Sequence, residues 1–251
     1  MSDIKLYQGD CLEVMDKLIA EGVKVDAIIT SPPYNFGINY GEYNDEKDFS
    51  EYFNWLDICF DKFVKILKSS GRFIINIQPM FSSYQPTHHI ISSMLLKKGL
   101  LWKGEILWEK NNYNCAYTAW GSWKSPSSPY FKYTWEFIEI FCKDNYKKDG
   151  NKEDIDITAD EFKKWVYAKW SIAPEHKVLH PAPFPEELPR RLLKLLTYKN
   201  DTILDPFMGS GTTGVACKQL NRNFIGIELD ENYFKVAKER IDNTAVQNKL
   251  F

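Results

Sequence analysis

Two kinds of hydrophobic pattern alternate along the chain. Short apolar or β-branched runs bounded by turn residues predict seven strands: about Ile4–Gln8, Val25–Thr30, Arg72–Ile77, Leu101–Glu109, Tyr133–Cys142, Thr202–Pro206 and Asn223–Glu228. Longer segments with helical periodicity lie between most of them: Leu12–Glu21, Asp48–Lys68, Thr87–Lys98, Glu186–Tyr198, Thr212–Leu220 and Glu231–Asn243. This alternation predicts an α/β fold, with a largely parallel sheet and helices on both faces. The fourth and fifth strands have no helix between them, which predicts an antiparallel pair.

Two stretches depart from the pattern. Residues 110–130 are rich in Asn, Ser, Tyr and Trp, and residues 143–180 are polar, with lysines and a few aromatic residues. Long irregular segments inside a compact domain are usually functional or disordered. We therefore expect one domain over residues 1–251, with an insertion at approximately 110–175.

The composition narrows the class of protein. A length of 251 residues, with 44% hydrophobic and 26% charged residues, is typical of a globular domain. The sequence lacks a long apolar run and an N-terminal signal core, so we expect a cytoplasmic protein. The five cysteines form no CxxC pair and no metal-ligand pattern with the four histidines, so neither a disulfide framework nor a metal site is expected.

Charge is distributed unevenly although the net charge is only -2. Residues 97–199 carry 18 basic and 14 acidic residues, a net charge of +4, whereas the flanking parts are both negative. A positive segment is typical of a surface that contacts phosphates. Chance variation among solvated charges explains the same numbers.

A glycine-rich turn follows the sixth predicted strand. Asp205 is followed by Pro206-Phe207-Met208-Gly209-Ser210-Gly211-Thr212, where a predicted helix begins. Glycine lets the backbone approach a ligand, and a helix N-terminus offers free N–H groups. About twenty residues later the seventh strand ends in Glu228, and a carboxylate at a neighbouring strand end suits the two hydroxyls of a ribose.

Three ligands could use this turn. A P-loop is disfavoured because the turn lacks the Lys-Ser/Thr pair that meets phosphate. A dinucleotide fits the glycines, but Asp205 would repel its pyrophosphate. S-adenosyl-L-methionine fits better, since it has a ribose, no phosphate and a cationic end. Taken alone, the motif is also explained by an ordinary strand-to-helix turn with a surface glutamate.

The second predicted strand runs into Ser31-Pro32-Pro33-Tyr34. Two prolines fix the backbone and end the strand, which should leave carbonyl groups that point outward without local partners. The exocyclic amine of a nucleobase is a poor nucleophile, and two acceptors, the Ser31 hydroxyl and the Pro32 carbonyl, would favour a tetrahedral, reactive nitrogen. Tyr34 would stack on the base, which must leave the duplex to be reached. A rigid proline turn remains the alternative.

Together these motifs resemble the DNA amino-methyltransferases that act on cytosine N4 or adenine N6. Ser31–Tyr34 resembles their catalytic (D/N/S)PPY tetrapeptide, and Asp205–Thr212 resembles their cofactor loop. The catalytic motif precedes the loop, as in the β class of the family. The resemblance implies a Rossmann-like, circularly permuted methyltransferase fold with a seven-stranded mixed sheet. It also implies S-adenosyl-L-methionine as the cofactor and S-adenosyl-L-homocysteine as its product.

The resemblance also assigns site residues. Gly9-Asp10-Cys11 is similar to the motif whose aspartate binds the adenine amine of the cofactor, and Glu228 to its ribose ligand. The segment 180–185, which contains Phe184, is similar to the one that packs against the methionine end. The expected catalytic residues are Ser31, Pro32, Pro33 and Tyr34. The expected cofactor-binding residues are Asp10, Cys11, Phe184, Asp205, Phe207, Gly209, Ser210, Gly211, Thr212 and Glu228.

The first residue of the catalytic motif bears on the target base. In this family serine there is typical of cytosine-N4 enzymes, and aspartate or asparagine of adenine-N6 enzymes. Ser31 therefore favours methylation of a flipped cytosine in a specific sequence of double-stranded DNA, in a restriction-modification system. A homodimer and a cognate endonuclease are further expected partners. The alternatives are methylation of adenine N6, the same chemistry on RNA, and a catalytically silent DNA-binding module.

The positive insertion is where this family carries target recognition. Its lysines are candidate phosphate contacts: Lys110, Lys124, Lys132, Lys147, Lys148, Lys163, Lys164 and Lys169. Asn111, Asn112 and Asn114 are candidates for reading base edges, or are turn residues. Trp120 and Trp123 either line the DNA or fill a small core.

Overall fold

The computed structural model describes residues 2–33, 48–80, 84–111, 121–174 and 185–246. The strands are β1 (Ile4–Gln8), β2 (Val25–Thr30), β3 (Leu67–Ile77), β4 (Leu101–Glu109), β5 (Trp135–Cys142), β6 (Lys169–Ser171), β7 (Thr202–Asp205) and β8 (Asn223–Glu228). The helices are α1 (Cys11–Ala20), α2 (Phe49–Ile66), α3 (Thr87–Lys97), α4 (Ala159–Trp165), α5 (Glu187–Leu196), α6 (Thr212–Gln219) and α7 (Glu231–Asp242).

The eight strands found in the described residues form one mixed sheet in the order β1-β8-β7-β2-β3-β5-β4-β6. β5 runs antiparallel to both of its neighbours, β3 and β4, so the predicted antiparallel pair is confirmed. The sheet has one strand more than the seven expected, because β6 adds to the edge beside β4. β6 has only three residues, of which Trp170 alone is buried, and so short a strand leaves no alternating pattern in the sequence.

The core consists of two apolar layers, one on each face of the sheet. Helices α1, α2 and α3 cover one face, and α4, α5, α6 and α7 cover the other. Consecutive strand residues alternate between the layers: Ile203 packs beneath the second group of helices and Leu204 beneath the first. Strands buried on both faces read as continuous apolar runs, which explains why most of their limits were predictable. The third strand is an exception, because β3 begins at Leu67 rather than at the predicted Arg72, and its first residues after Leu67 are not buried.

The first and last strands of the chain are neighbours. β1 pairs with β8 in parallel, from Ile4 beside Phe224 to Gln8 beside Glu228. A fold whose first and last strands lie side by side can be opened elsewhere with its sheet pairing retained. This is the property that a circular permutation requires.

The second half of the expected insertion is part of the main core. Trp165 at the end of α4 and Trp170 in β6 are both buried in the second apolar layer. Arg191 of α5 lies over both indoles at 5.5 and 5.4 Å, and Arg190 lies 5.5 Å from the ring of Trp165. Glu161, which closes a capping box with Thr158 on α4, forms ion pairs with Arg190 and Lys194. This segment is therefore fixed to α5.

Within the described residues, no helix has the length and apolar character needed to cross a membrane.

Candidate active site

A crevice opens where β7 and β2 end side by side. After β7 the chain turns through α6 to β8 on one side, whereas after β2 it turns through α2 to β3 on the other side. The divergence of two crossovers opens a ligand crevice at the carboxyl ends of the strands. The glycine turn follows β7 and Ser31 follows β2, so both sequence motifs border this crevice.

A buried carboxylate joins the two motifs. Asp205 is 2% exposed, and it accepts hydrogen bonds from the hydroxyl groups of Thr30 (2.9 Å) and Thr213 (2.8 Å). It also accepts the backbone N–H of Phe207 at 3.2 Å. Burial raises the pKa of Asp205 to about 6, against the opposing effect of these donors. Asp205 therefore holds the end of β2, the glycine turn and the start of α6 in one arrangement.

Two glycines of the turn adopt left-handed conformations. Gly209 has φ +51°, and its N–H donates to Oε2 of Glu228 at 2.8 Å. Gly211 has φ +80° and precedes the first residue of α6. A Cβ on Gly211 would lie 2.9 Å from the Cβ of Ala237 in α7. The turn can therefore pass this close to α7 only with glycine at position 211.

An arginine supports the same turn from α7. Arg240 donates to the carbonyl oxygen of Ser210 at 2.7 Å and to its hydroxyl at 2.9 Å, and a longer contact of 3.4 Å reaches the hydroxyl of Thr212. Ser210 and Thr212, both expected to bind the cofactor, are themselves 5% and 4% exposed. These contacts indicate that their side chains shape the turn.

Glu228 lies at the end of β8 and is half-buried. Its Oε2 accepts the N–H of Gly209 and its Oε1 accepts the N–H of Asp230 at 3.0 Å. Burial raises the pKa of Glu228, although the two backbone donors lower it. Each oxygen keeps a second lone pair, so the carboxylate is held in place and can still accept a hydroxyl hydrogen.

The Asp10 motif lies beside Glu228, because β1 and β8 are neighbours. The N–H of Gly9 donates to the carbonyl oxygen of Glu228 at 2.9 Å. Oδ1 of Asp10 caps α1 by accepting the N–H of Leu12 at 2.8 Å, and no hydrogen bond within the described residues reaches its Oδ2. The thiol of Cys11 is directed into the core, 3.9 Å from the sulfur of Cys59.

Phe207 connects the glycine turn to α2. Its ring lies 5.6 Å from Trp55 and 6.0 Å from Phe63, measured between centroids. The half-buried ring packs against the first apolar layer. Its contact with a cofactor stays a prediction, as do those of the other expected cofactor residues.

The proline turn is anchored to α2 as well. Pro32 is buried, and Ser31 and Pro33 are half-buried. The carbonyl of Pro33 accepts the hydroxyl of Tyr52, a fully buried residue of α2, at 2.8 Å. The expectation that the proline carbonyls lack local partners is therefore wrong for Pro33. Tyr34 and Phe184 lie outside the described residues.

A polar cluster beside Ser31 was missed by the sequence analysis. Asn76 near the end of β3 donates to Glu136 at the start of β5, and Lys110 after β4 donates to the other oxygen of Glu136. Asn76 and Glu136 are 5% and 4% exposed. A detectable signal was a polar residue inside each apolar strand run, at position 76 and at position 136. We refer to Asn76, Glu136 and Lys110 as the polar triad.

The lysines that were expected to contact phosphates differ in their burial and in their partners. Lys148 is 9% exposed and forms ion pairs with Asp26 and Asp201 at the opposite edge of the sheet, where β2 and β7 begin. It is therefore not a phosphate contact. Lys110 belongs to the polar triad. The lysines at 124, 147, 163, 164 and 169 are not buried in this way.

An aromatic surface occupies the first half of the insertion. Trp123, Tyr130 and Phe131 are 64%, 47% and 77% exposed, which corrects the idea that Trp123 fills a core. Lys124 lies 5.6 Å from the Trp123 ring. Asn111 has φ +54° and its side chain bonds Ser171, which favours the turn interpretation for this residue. Asn112, Asn114 and Trp120 lie outside the described residues.

The match to a known family spans most of the chain. The sequence profile of the DNA methylases that act on N6 or N4 matches residues 25–239. The chain belongs to this DNA methylase family. It is a DNA methyltransferase of the amino-methylating kind, and the expected fold and resemblance are confirmed.

Individual relatives cover nearly the whole chain. The Type II methyltransferase M.HpaI of Haemophilus parainfluenzae is 28% identical over 96% of this chain and 75% of its own length. The Type II methyltransferase M.MjaI of Methanocaldococcus jannaschii is 30% identical over 94% of this chain and 90% of its own. The putative DNA modification methylase TTHA0409 of Thermus thermophilus, solved with S-adenosyl-L-methionine, is 25% identical, with a TM-score of 0.74 over 96% of this chain and 95% of its own.

Proposed function

We propose that this DNA methyltransferase methylates the N4 amine of cytosine. The observation that carries the proposal is the neutral hydroxyl of Ser31 at the end of β2, beside the glycine turn that Thr30 and Asp205 hold in place. A serine hydroxyl and a proline carbonyl together offer the acceptors that an exocyclic amine needs for its two hydrogens.

The residues of the proline turn position and polarise the amine. The Ser31 hydroxyl and the Pro32 carbonyl accept its hydrogens, which favours a tetrahedral nitrogen with an available lone pair. Tyr52 fixes the turn through the Pro33 carbonyl, so the acceptors are held before the base arrives. Removing the base from the duplex costs a few kcal/mol, and Tyr34 offsets part of this cost by stacking on the flipped base.

S-adenosyl-L-methionine is the cofactor, and it supplies an electrophilic methyl group on a sulfonium centre. The chemistry of the crevice fits it, because carboxylate acceptors at the ends of β1 and β8 suit the amine and hydroxyl donors of a nucleoside and would repel phosphates. Glu228 would accept the ribose hydroxyls, and Oδ2 of Asp10 would accept the adenine amine. Gly209 and Gly211 would let the backbone approach it, while Phe184 would pack against the methionine end.

Target recognition is assigned to the first half of the insertion. Trp123, Tyr130 and Phe131 expose flat rings, and Lys124 adds a positive charge beside them. Aromatic and cationic side chains of this kind bind bases and backbone of DNA. The segment from α4 to β6 is fixed to α5 and is not part of this surface.

The biological setting follows from the relatives. M.HpaI and M.MjaI are named as Type II methyltransferases. This protein accordingly modifies double-stranded DNA as part of a restriction-modification system, and we propose a cognate endonuclease and a homodimer as further partners.

One experiment tests the base assignment. The gene is expressed in a host that has no DNA methylation, and the modified bases of the host DNA are identified by sequencing and by mass spectrometry of nucleosides. We expect N4-methylcytosine in one sequence context. N6-methyladenine in its place would refute the cytosine assignment, and unmodified DNA would refute the activity.

A serine variant tests the site. Ser31→Ala should lose methyl transfer but keep its affinity for S-adenosyl-L-methionine in isothermal titration, because Ser31 contacts the base and not the cofactor. Ser93→Ala, on the exposed face of α3, is the matched control and should behave as the wild type. Full activity in Ser31→Ala would refute the role of the hydroxyl.

A further inference from the structure

The polar triad crosses the sheet next to the proline turn. The parallel register of β2 and β3 pairs Thr30 with Ile75, so Ser31 and Asn76 are the next residues on the two strands. Ile29 and Ile74 pack in the second apolar layer. Ser31 lies two residues after Ile29 and Asn76 two residues after Ile74, so both polar residues face the side of the sheet that carries this layer. The two polar groups therefore lie on the same face at the same edge of the sheet.

Glu136 and Lys110 continue this row. Glu136 lies two residues before Ile138, and Lys110 lies two residues after Trp108. Ile138 and Trp108 pack in the second apolar layer, so Glu136 and Lys110 are on the same face of the sheet. The backbone N–H of Lys110 donates to Thr134 at 2.9 Å, which extends the pairing of β4 and β5 past Glu109. The ammonium group lies 5.0 Å from the Trp108 ring and donates to Glu136. Lys110 is thus held in one place, with its side chain 26% exposed.

A flipped cytosine needs hydrogen-bond donors along its Watson–Crick edge. Its Watson–Crick edge presents the N4 amine, then the acceptors N3 and O2, and flipping removes the donors that guanine supplied. Leaving such acceptors buried and unpaired is unfavourable. In the proposed arrangement the Ser31 hydroxyl and the Pro32 carbonyl accept the hydrogens of the amine, so N3 and O2 need a donor from another group.

Lys110 has the required chemistry. An ammonium group carries three hydrogens, and Glu136 takes one of them, which leaves two for a ligand. Because Glu136 is a buried counter-ion, the pair is electrically neutral and does not oppose a cationic methyl donor. On the Watson–Crick edge adenine presents one acceptor, N1, whereas cytosine presents two, so a group with two free hydrogens suits that edge of cytosine better.

We propose that Lys110 donates hydrogen bonds to the ring acceptors of the flipped base, and that Glu136 and Asn76 position it. This inference rests on the proposed cytosine specificity and assigns Lys110 to the base rather than to a phosphate. Charge-assisted hydrogen bonds of this kind correspond to a change in kcat/KM of about 10- to 160-fold.

The test is a cycle that combines a protein change with a change in one atom of the base. The substrate is a duplex with the recognition sequence found by sequencing the host DNA, and its target is either cytosine or 3-deazacytosine, in which a C–H replaces N3. The protein is the wild type or Lys110→Met/Glu136→Gln. The double variant removes both charges together, so it leaves no unpaired buried carboxylate and should fold.

We expect the 3-deaza substitution to lower kcat/KM of the wild type at least tenfold more than that of the double variant, because the variant has no donor for N3 to lose. Lys103→Met, on the same strand but away from the carboxyl edge, is the matched control and should show the wild-type response. An equal effect of the analogue in the wild type and the double variant would overturn the role of Lys110. Wild-type methylation of adenine would instead refute the cytosine assignment, before any variant is assayed.

Discussion

The buried carboxylate of Asp205 makes the stability of this enzyme depend on pH. Asp205→Asn keeps the shape of the side chain and removes its titration. The amide oxygen can accept the N–H of Phe207 and the hydroxyl of Thr30, and the amide N–H group can donate to the hydroxyl of Thr213 after rotation. We therefore expect the variant to fold with its three partners still satisfied.

The magnitude follows from the pKa of Asp205, which burial raises from 3.8 to about 6 in the folded state. Between these values the folded protein binds more protons than the unfolded protein, so its stability falls as the pH rises. At about 1.36 kcal/mol per pKa unit, this shift lowers the free energy of unfolding by about 3 kcal/mol at neutral pH. About 1 kcal/mol of this loss of stability is already present at pH 4.5, so about 2 kcal/mol more is lost between pH 4.5 and pH 7.5.

The assay is urea unfolding of the wild type and Asp205→Asn at several pH values from 4.5 to 7.5. The free energy of unfolding of the variant, minus that of the wild type, should rise by about 2 kcal/mol across this range. Other titrating groups are common to both proteins and cancel in the difference. A difference that stays constant with pH would refute the raised pKa, whatever its absolute value.

Two further substitutions test the two turns that border the crevice. Gly211→Ala should lower the free energy of unfolding by at least about 1–2 kcal/mol, because the position has φ +80° and a Cβ would contact α7 at 2.9 Å. The control in the same urea assay is Gly104→Ala, since a Cβ at position 104 meets nothing within 4 Å. Tyr52→Phe removes the hydroxyl that holds the Pro33 carbonyl, so stability should fall by about 1 kcal/mol and kcat should fall more than KM changes. Tyr167→Phe, on an exposed ring, should change neither quantity, and a Tyr52 variant with wild-type kcat would refute the anchoring role.

Much of the sheet was predictable because its strands are buried. β2 has all six residues buried, and β7 is buried after its first residue, so their apolar runs have sharp ends at turn residues. The two chemical motifs follow directly from those ends. Their proximity could be predicted from the family resemblance, but the bond between Thr30 and Asp205 depends on the strand register, which the sequence does not reveal.

The missed elements are held by tertiary contacts rather than by local pattern. α4 has seven residues, and its buried surface is mainly Trp165, which packs beneath the arginines of α5. Lys148 was a candidate phosphate contact in a polar stretch, yet it is paired with two aspartates from distant segments. Periodicity detects faces of helices and strands, and it does not detect partners that are far apart in the chain.

The direction of β5 explains why the proposed recognition surface lies at the same edge of the sheet as Ser31. β4 ends at the carboxyl edge of the sheet and β5, which is antiparallel, begins there, so the segment between them must emerge at this edge. A parallel β5 would have begun at the opposite edge, away from Ser31. The same reversal brings Glu136 to the crevice, although it stands near the start of its strand. The residues of the proposed recognition surface can therefore change between β4 and β5 without altering the pairing of β2, β7, β8 and β1.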